Sequence, residues 1–253
     1  MGRGNAALAL SAAGMESHGV QAITAIIASA TAMRQDKRMK LFTKKNGPRQ
    51  AASPAHKVII AGPGRSGTTL LVQLLTDLGF DTGFNSDSMH VSEISHAGLE
   101  QGLFAQPHRK APLTKSYVIK SPLISDNLQL GCERDDLVVE HVYIPIRPIN
   151  EVALSRARVS DISRGHPGGL DKALDIEGQM NRTARSLYTL LDTVTRYDLP
   201  HTFIAFPRLT EEPQYLYRKL DFLCSDIDYD QFEKAFETRV RPDLVHSFEG
   251  GPT

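Results

Sequence analysis

The stretch KVIIAGPGRSGTTLLVQLLTDLG, at residues 57–79, is the part of the chain from which its fold can best be predicted. Residues 58–61 form a short uninterrupted apolar run, which is typical of a strand buried on both faces of a parallel sheet. Three glycines in the segment that follows permit backbone angles that turn successive N–H groups toward an anion. Leucines then recur at helical spacing from 70 to 78, and the start of that helix adds partial positive charge. The stretch therefore predicts a phosphate-binding loop between a strand and a helix.

The loop departs from the pattern of nucleotide hydrolases at one position. Gly62 and Gly67 match the two glycines of G-x-x-x-x-G-K-[ST], but Thr68 stands where that pattern has Lys. Arg65 supplies the positive charge instead, and Thr69 adds a second hydroxyl. The order G-x-x-R-S-G-T-T resembles the 5′-phosphosulfate loop of sulfotransferases that use 3′-phosphoadenosine-5′-phosphosulfate (PAPS). The resemblance implies that the donor is held by Gly64, Arg65, Ser66, Gly67, Thr68 and Thr69.

A second element of the resemblance lies at the end of the predicted strand 138–146. Arg147 follows this strand, and Ser155 lies eight residues further on, about two turns into the next predicted helix. At these positions, the guanidinium of Arg147 and the hydroxyl of Ser155 are expected to contact the same anion from two sides. The pair resembles the 3′-phosphate signature of the same family. A P-loop kinase uses an Asp at the end of a strand to hold its magnesium ion, but neither the third nor the fourth predicted strand ends in Asp. The sequence therefore argues against metal-dependent phosphoryl transfer.

Lys120 ends a third predicted strand, 117–120, and the carboxyl ends of parallel strands are where open α/β sheets place ligands. The Lys-Ser-Pro sequence there resembles the Lys-x-Pro or Lys-Thr-His element of sulfotransferases. Pro122 occupies the position of the catalytic His in the cytosolic branch, so the chain resembles the bacterial or carbohydrate-type branch more closely. In that branch, a Glu between the loop helix and this strand acts as the general base.

The resemblance then implies Glu93 as the first choice of base, followed by His90 or His96. These residues have i, i+3, i+6 spacing in a segment for which we expect a helix beginning near His90, so neighbouring members share a face. Two alternatives are that this face is simply exposed to solvent or that it binds a metal ion. We predict no metal, because the i, i+4 His pair of metalloprotease helices is missing. The catalytic residues expected from the resemblance are Arg65, Lys120, Glu93 and His90.

The order of predicted elements is strand alternating with helix, which indicates an α/β fold with right-handed crossovers. We expect a three-layer α/β/α domain of the P-loop type with a central parallel sheet of about five strands. The predicted strands are 58–61, 80–84, 117–120, 138–146 and 201–206. The longest predicted helix is 176–197, with a buried stripe of Ile176, Met180, Ala184, Leu187, Leu191 and Val194.

Composition limits the partners and the compartment. The 253 residues include 29 Lys plus Arg and 29 Asp plus Glu, so no general attraction to nucleic acid is implied. The two cysteines form no metal-like spacing and are typical of a reducing compartment.

The domain organisation is also visible in the sequence. We expect residues 1–50 to form a loosely structured or helical extension and residues 51–253 to form a single domain. The apolar patch at 22–33 is too short and too polar to span a bilayer, so we expect a cytoplasmic protein without a stable membrane span. The alternative for the extension is an organelle-targeting peptide.

The resemblance as a whole implies a PAPS-dependent sulfotransferase that transfers a sulfuryl group to a hydroxyl acceptor by in-line displacement. A saccharide or other aliphatic alcohol is favoured over a phenol, because the cytosolic Lys-Thr-His element is absent. Two alternatives stay open at the level of sequence. One is a P-loop kinase of a small metabolite, and the other is a non-catalytic protein that binds PAPS or another nucleotide.

Overall fold

The computed structural model describes residues 53–105, 111–121, 124–171 and 175–241, and the predicted extension of residues 1–50 lies outside them. Four strands in this part of the chain form one sheet, and every neighbouring pair is parallel. The strands are Ala55–Ile60 (β1), Val118–Lys120 (β2), Leu137–Ile146 (β3) and His201–Ala205 (β4), in the spatial order β2-β1-β3-β4.

Helices follow or separate these strands, as expected for an alternating α/β chain. The helices among the described residues are Thr68–Asp77 (α1), Ile124–Cys132 (α2), Ile149–Ile162 (α3), Ile176–Arg196 (α4), Arg208–Glu211 (α5), Pro213–Lys219 (α6), Asp221–Cys224 (α7) and Tyr229–Arg239 (α8).

The central strand β1 is buried on both faces because its side chains alternate between two cores. Val58 and Ile60 pack into one cluster with side chains of α1, α6 and α8. Ile59 and Ala61 pack into the other cluster with side chains of α2 and α4. All four side chains are at most 1% exposed. The result is a three-layer α/β/α arrangement, which confirms the predicted fold class.

The prediction of about five strands is wrong for the described residues, which contain four. Residues 80–84 form a turn rather than a strand, because side chains near Gly83 satisfy the local backbone. Asp81 Oδ1 accepts from the N–H of Gly83 at 3.1 Å, and Gly83 has a left-handed φ of 75°. Asx chemistry of this kind competes with pairing in a sheet.

The helix predicted from His90 is also wrong, since the segment forms turns and an isolated antiparallel bridge between Val91 and Gly98. Ser92 Oγ accepts from the N–H groups of the second and third residues after it, which is a turn contact. His96 then takes a φ of 48° and Gly98 a φ of 144°, angles that a right-handed helix does not contain. His90, Glu93 and His96 therefore do not share the face of a helix.

The long helix α4 is present almost as predicted, but its buried stripe is different. Ile176 is 40% exposed and Ala184 is exposed, whereas Gln179 and Thr183 are buried. Val194 is buried as predicted, but Leu190 is fully buried in place of the predicted Leu191, which is only partly buried. The first half instead turns a polar face inward because it borders the cavity described below.

Candidate functional site

The loop between β1 and α1 is held tightly against β3. Gly62 has a φ of 138° and Gly67 a φ of 90°. A Cβ at Gly62 would lie 2.9 Å from the carbonyl oxygen of Pro145, closer than folded proteins allow, so the loop approaches β3 at a distance that only glycine permits. Ser66 is fully buried and donates its hydroxyl to the carbonyl of Pro63. The loop is consequently a rigid cradle at the carboxyl end of the sheet.

The first turn of α1 opens into this cradle without a capping side chain. Gly67 precedes the helix, and no side chain accepts a hydrogen bond at the cap. The first N–H groups of an α-helix have no partner within the helix and carry the positive end of its dipole. Thr68 and Thr69, at the start of α1, both line the cavity. The predicted loop therefore has the geometry of an anion site.

Arg65 projects from the loop toward α3 and connects the two predicted phosphate elements. Its Nε donates to Ser155 Oγ at 3.0 Å, and its Nη1 donates to the carbonyl of Ser95. No carboxylate pairs with Arg65 among residues 53–105, 111–121, 124–171 and 175–241. Arg65 itself has a left-handed φ of 73°, which turns the backbone at this point of the cradle.

Arg147 is buried on the other side of Arg65 and is only 5% exposed. Its Nη1 donates to the carbonyl of Arg65 at 3.0 Å, and its Nε donates to Glu151 Oε2 at 3.1 Å. Its Cζ lies 4.4 Å from the centre of the Phe206 ring, within range of a cation–π contact. The structure thus brings Arg65, Arg147 and Ser155 together, although they come from the loop, the end of β3 and helix α3.

Arg156, the residue after Ser155 on α3, is a third guanidinium in the same cleft. Its Nη1 donates to the carbonyl of Gly169 at 2.9 Å, while its Nε is buried and has no hydrogen-bond partner in the described part of the chain. A Cβ on Gly64 would lie 2.8 Å from Arg156 Nη2, so this guanidinium lies directly against the loop.

Partial removal of these cations from water lowers their pKa values. Burial, followed by the charges of Arg147 and Arg156, lowers the pKa of Arg65 to about 10. Burial also lowers the pKa of Arg147 and of Arg156. All three side chains remain charged at pH 7, so the cleft concentrates positive charge that is poorly hydrated. A bound anion would offset both the desolvation and the mutual repulsion.

Lys120, at the end of β2, faces the cleft from the opposite side. It is 7% exposed, and its Nζ donates to the carbonyl of Gly98 at 2.7 Å and to Thr69 Oγ1 at 3.3 Å. Burial lowers the pKa of Lys120, and the nearby charge of Glu100 partly opposes this effect. The predicted lysine therefore lies beside the start of α1, where we expected it.

Glu100 is the carboxylate that sequence reasoning missed. Its Oε1 lies 3.5 Å from Lys120 Nζ, and its side chain is 46% exposed and lines the cavity. The next residue, Gln101, donates its backbone N–H to the carbonyl of Lys120 at 2.7 Å and so holds this segment beside β2. Glu100 lies in the expected interval between α1 and β2, but no local pattern distinguishes it from Glu93.

The structure separates the three residues predicted as candidate bases. His90 and Glu93 are exposed and do not line the cavity. His96 is also exposed but does line it, beside Ala97 and Gly98. The predicted role of Glu93 and His90 in catalysis thus stays a prediction without a supporting contact to the cleft.

The cleft as a whole is a cavity of about 1180 Å³ at the carboxyl ends of the strands. Among its described lining residues, eight are Arg or Lys and three are Asp or Glu, although the full chain has no net charge. Phe206 is the only Phe or Tyr among them. Gln179 and Thr183 from the first half of α4 form part of the polar wall. The cavity is large enough and positive enough for a nucleotide with several anionic groups.

Two further findings concern the part of the chain that the structure describes. No group of three or more His, Cys, Asp or Glu side chains there is arranged so that it could hold a metal ion. None of its helices combines the length and the apolar character needed to cross a membrane. Comparison of the chain with models of protein families, with curated proteins and with solved structures found no match in any of the three.

Proposed function

We propose that the protein is a PAPS-dependent sulfotransferase that acts on a hydroxyl acceptor. The observation that carries the proposal is the group of three guanidiniums around the uncapped start of α1, of which Arg147 is buried and Arg65 and Arg156 are half-buried. Arg65 and Arg156 have no carboxylate partner in the described part of the chain, and Arg147 lies next to them. A charge that is partly removed from water and has no counterion is costly, so this cluster is best explained by a polyanionic ligand.

The residues present fit the donor in three respects. The loop amides from Gly64 to Thr69, together with Arg65, would hold the 5′-phosphate. Arg147 and Ser155 would hold the 3′-phosphate, and the hydrogen bond from Arg65 to Ser155 supports two adjacent anion sites. Phe206 would stack on the adenine, since the chain has no Trp and no other Phe or Tyr among the described lining residues.

Chemistry at this site requires positioning and charge stabilisation more than covalent participation of the protein. PAPS supplies the sulfuryl group. The acceptor oxygen forms a new bond to sulfur while the bond between sulfur and the bridging phosphate oxygen breaks, and that oxygen keeps the electron pair. Arg65 and Lys120 stabilise the charge that develops on the bridging oxygen. The acceptor proton passes to a general base of the protein.

Glu100 is the base that the geometry favours. Its carboxylate is partly exposed to the cavity, where an acceptor enters, and it lies 3.5 Å from Lys120 Nζ. A carboxylate beside the lysine that stabilises the leaving group is placed near the reacting atoms. Glu93 is exposed and lies outside the cavity lining. We therefore assign the role to Glu100, and the acceptor remains a hydroxyl compound such as a saccharide.

Calorimetric titration with adenosine 3′,5′-bisphosphate, compared with magnesium-ATP, tests the proposal. We expect the wild type to bind the bisphosphate more tightly. Because a hydrogen bond to a charged group contributes about 1.5 to 3 kcal/mol, Arg147→Ala should weaken this binding about 10- to 150-fold. Arg196→Ala is the control, since Arg196 is exposed, pairs with Asp192 and does not line the cavity.

Three results would contradict the proposal. The first is preference for magnesium-ATP, which would indicate a P-loop kinase. The second is equal bisphosphate affinity in the wild type and Arg147→Ala. The third is tight binding of PAPS without transfer to any hydroxyl acceptor, which would indicate a non-catalytic binding protein.

A further inference from the structure

Arg156 has a place in the cleft that the two phosphate sites do not explain. Its guanidinium makes one hydrogen bond, to the backbone carbonyl of Gly169, and its buried Nε has no partner in the described residues. No carboxylate lies within ion-pair distance of it in the same residues. A desolvated cation with free donor capacity beside a ligand cavity is expected to meet an anionic group of the ligand.

Arg147 and Arg156 have different partners in the cleft. Arg147 pairs with Glu151 and contacts the ring of Phe206, so it belongs to the side proposed for the nucleoside and the 3′-phosphate. Arg156 lies against Gly64, at the strand end of the loop. The charges of Asp171 and Glu100 partly oppose the lowering of the Arg156 pKa by burial, which places Arg156 within electrostatic range of the proposed base.

We propose that Arg156 contacts the sulfuryl group of the donor rather than either phosphate, and that it stabilises the negative charge on the sulfuryl oxygens during transfer. The inference rests on the proposed function. It follows from three features of the cleft: the contact of Arg156 with the loop at Gly64, its unpartnered buried Nε, and the pair of Lys120 and Glu100, whose carboxylate charge acts on Arg156. Arg156 would then act together with Lys120, from the opposite wall.

The test compares two ligands that differ only in the sulfuryl group, PAPS and adenosine 3′,5′-bisphosphate. Both are titrated calorimetrically into the wild type, Arg156→Gln and Arg156→Lys, without acceptor. We expect Arg156→Gln to lower PAPS affinity by at least about tenfold while bisphosphate affinity changes less than about twofold. Arg156→Lys should recover part of the PAPS affinity, because it restores the charge without the planar fork.

Arg158→Gln is the matched control, since Arg158 lies on the same helix but is exposed and does not line the cavity. Thermal melting of each variant checks that it folds, and Arg156→Lys takes the place of Arg156→Gln if the latter does not. An equal loss of affinity for both ligands would overturn the inference in favour of a phosphate contact. No loss for either ligand would overturn it in favour of a purely structural arginine. Failure of the wild type to bind the bisphosphate would refute the proposed function itself, which is a separate outcome.

Discussion

The close approach of the predicted phosphate loop to β3 predicts that two glycines with positive φ values will respond very differently to alanine. Gly62 has a φ of 138° and Gly79 a φ of 89°. A Cβ at Gly62 would lie 2.9 Å from the Pro145 carbonyl oxygen, whereas a Cβ at Gly79 would have no heavy atom within 4 Å. Gly79 therefore reports the cost of a positive φ alone, and Gly62 adds the cost of the contact.

The magnitudes follow from these distances. Gly79→Ala imposes only the cost of a left-handed conformation, about 1 kcal/mol. Gly62→Ala adds to this the displacement of a backbone carbonyl in a buried strand, about 3 kcal/mol by analogy with overpacked cores. For a folded unit of about 200 residues, each kcal/mol lowers Tm by about 3 °C. Gly62→Ala should thus melt about 9 °C below Gly79→Ala.

Differential scanning calorimetry of both variants and the wild type measures this difference. Bisphosphate binding provides a second readout, because a shifted loop no longer aligns its N–H groups while Gly79 lies beyond α1 and outside the cavity lining. Equal melting temperatures for the two variants would refute the reasoning, since the Pro145 contact would then have no energetic consequence. So would unchanged bisphosphate affinity in Gly62→Ala, because the cradle would then tolerate the shift.

Two further predictions concern carboxylates. Glu100→Gln is expected to lower kcat by about 100-fold or more with little change in bisphosphate affinity, as for loss of a general base, whereas loss of turnover in Glu93→Gln alone would assign the base to Glu93. Glu140 accepts hydrogen bonds from Tyr117 and His56, and these contacts hold its pKa below the ordinary range. A carboxyl group whose pKa is lower in the folded state than in the unfolded state stabilises the fold when the pH is above the unfolded-state pKa. This stabilisation is lost as the pH falls through the folded-state pKa. Glu140→Gln should therefore unfold about 1 kcal/mol more easily in urea at pH 7, with a gap that closes below about pH 4, and a gap independent of pH would contradict this.

Local sequence patterns determined much of the architecture. The apolar runs of β1 and β3, the glycines of the loop and the periodicity of α1 and α4 all depend on neighbours within a few residues, so they were predictable. The order of these elements then implied a parallel sheet, whose strand ends meet at one edge. For this reason the sequence also predicted that Arg65, Lys120, Arg147 and Ser155 lie in one region. In the structure, Arg65, Lys120 and Arg147 line one cleft, and Ser155 is bonded to Arg65 without lining it.

The predictions were wrong where contacts in the folded chain outweighed the local sequence pattern. Turn contacts of Asp81 and Ser92 replaced the predicted strand 80–84 and the helix near His90, because side chains satisfied the backbone there. Helix α4 buries Gln179 and Thr183 in place of the predicted apolar residues in its first half. Periodicity in the sequence predicts that one face of a helix is apolar, but which residues are buried depends on the elements that pack against the helix.

Short-range spacing in the sequence was sufficient to specify a parallel α/β fold, and it predicted a phosphate-type loop and two anion-binding elements. The contact of Arg156 with Gly64, and the approach of Glu100 rather than Glu93 to Lys120, depend instead on how the chain packs in three dimensions. Arg156 and Gly64 are far apart in the chain, and the pairing of Gln101 with Lys120 sets the position of Glu100. Such contacts arise from the packing of loops and helices over the sheet, which leaves no repeating signal in the sequence.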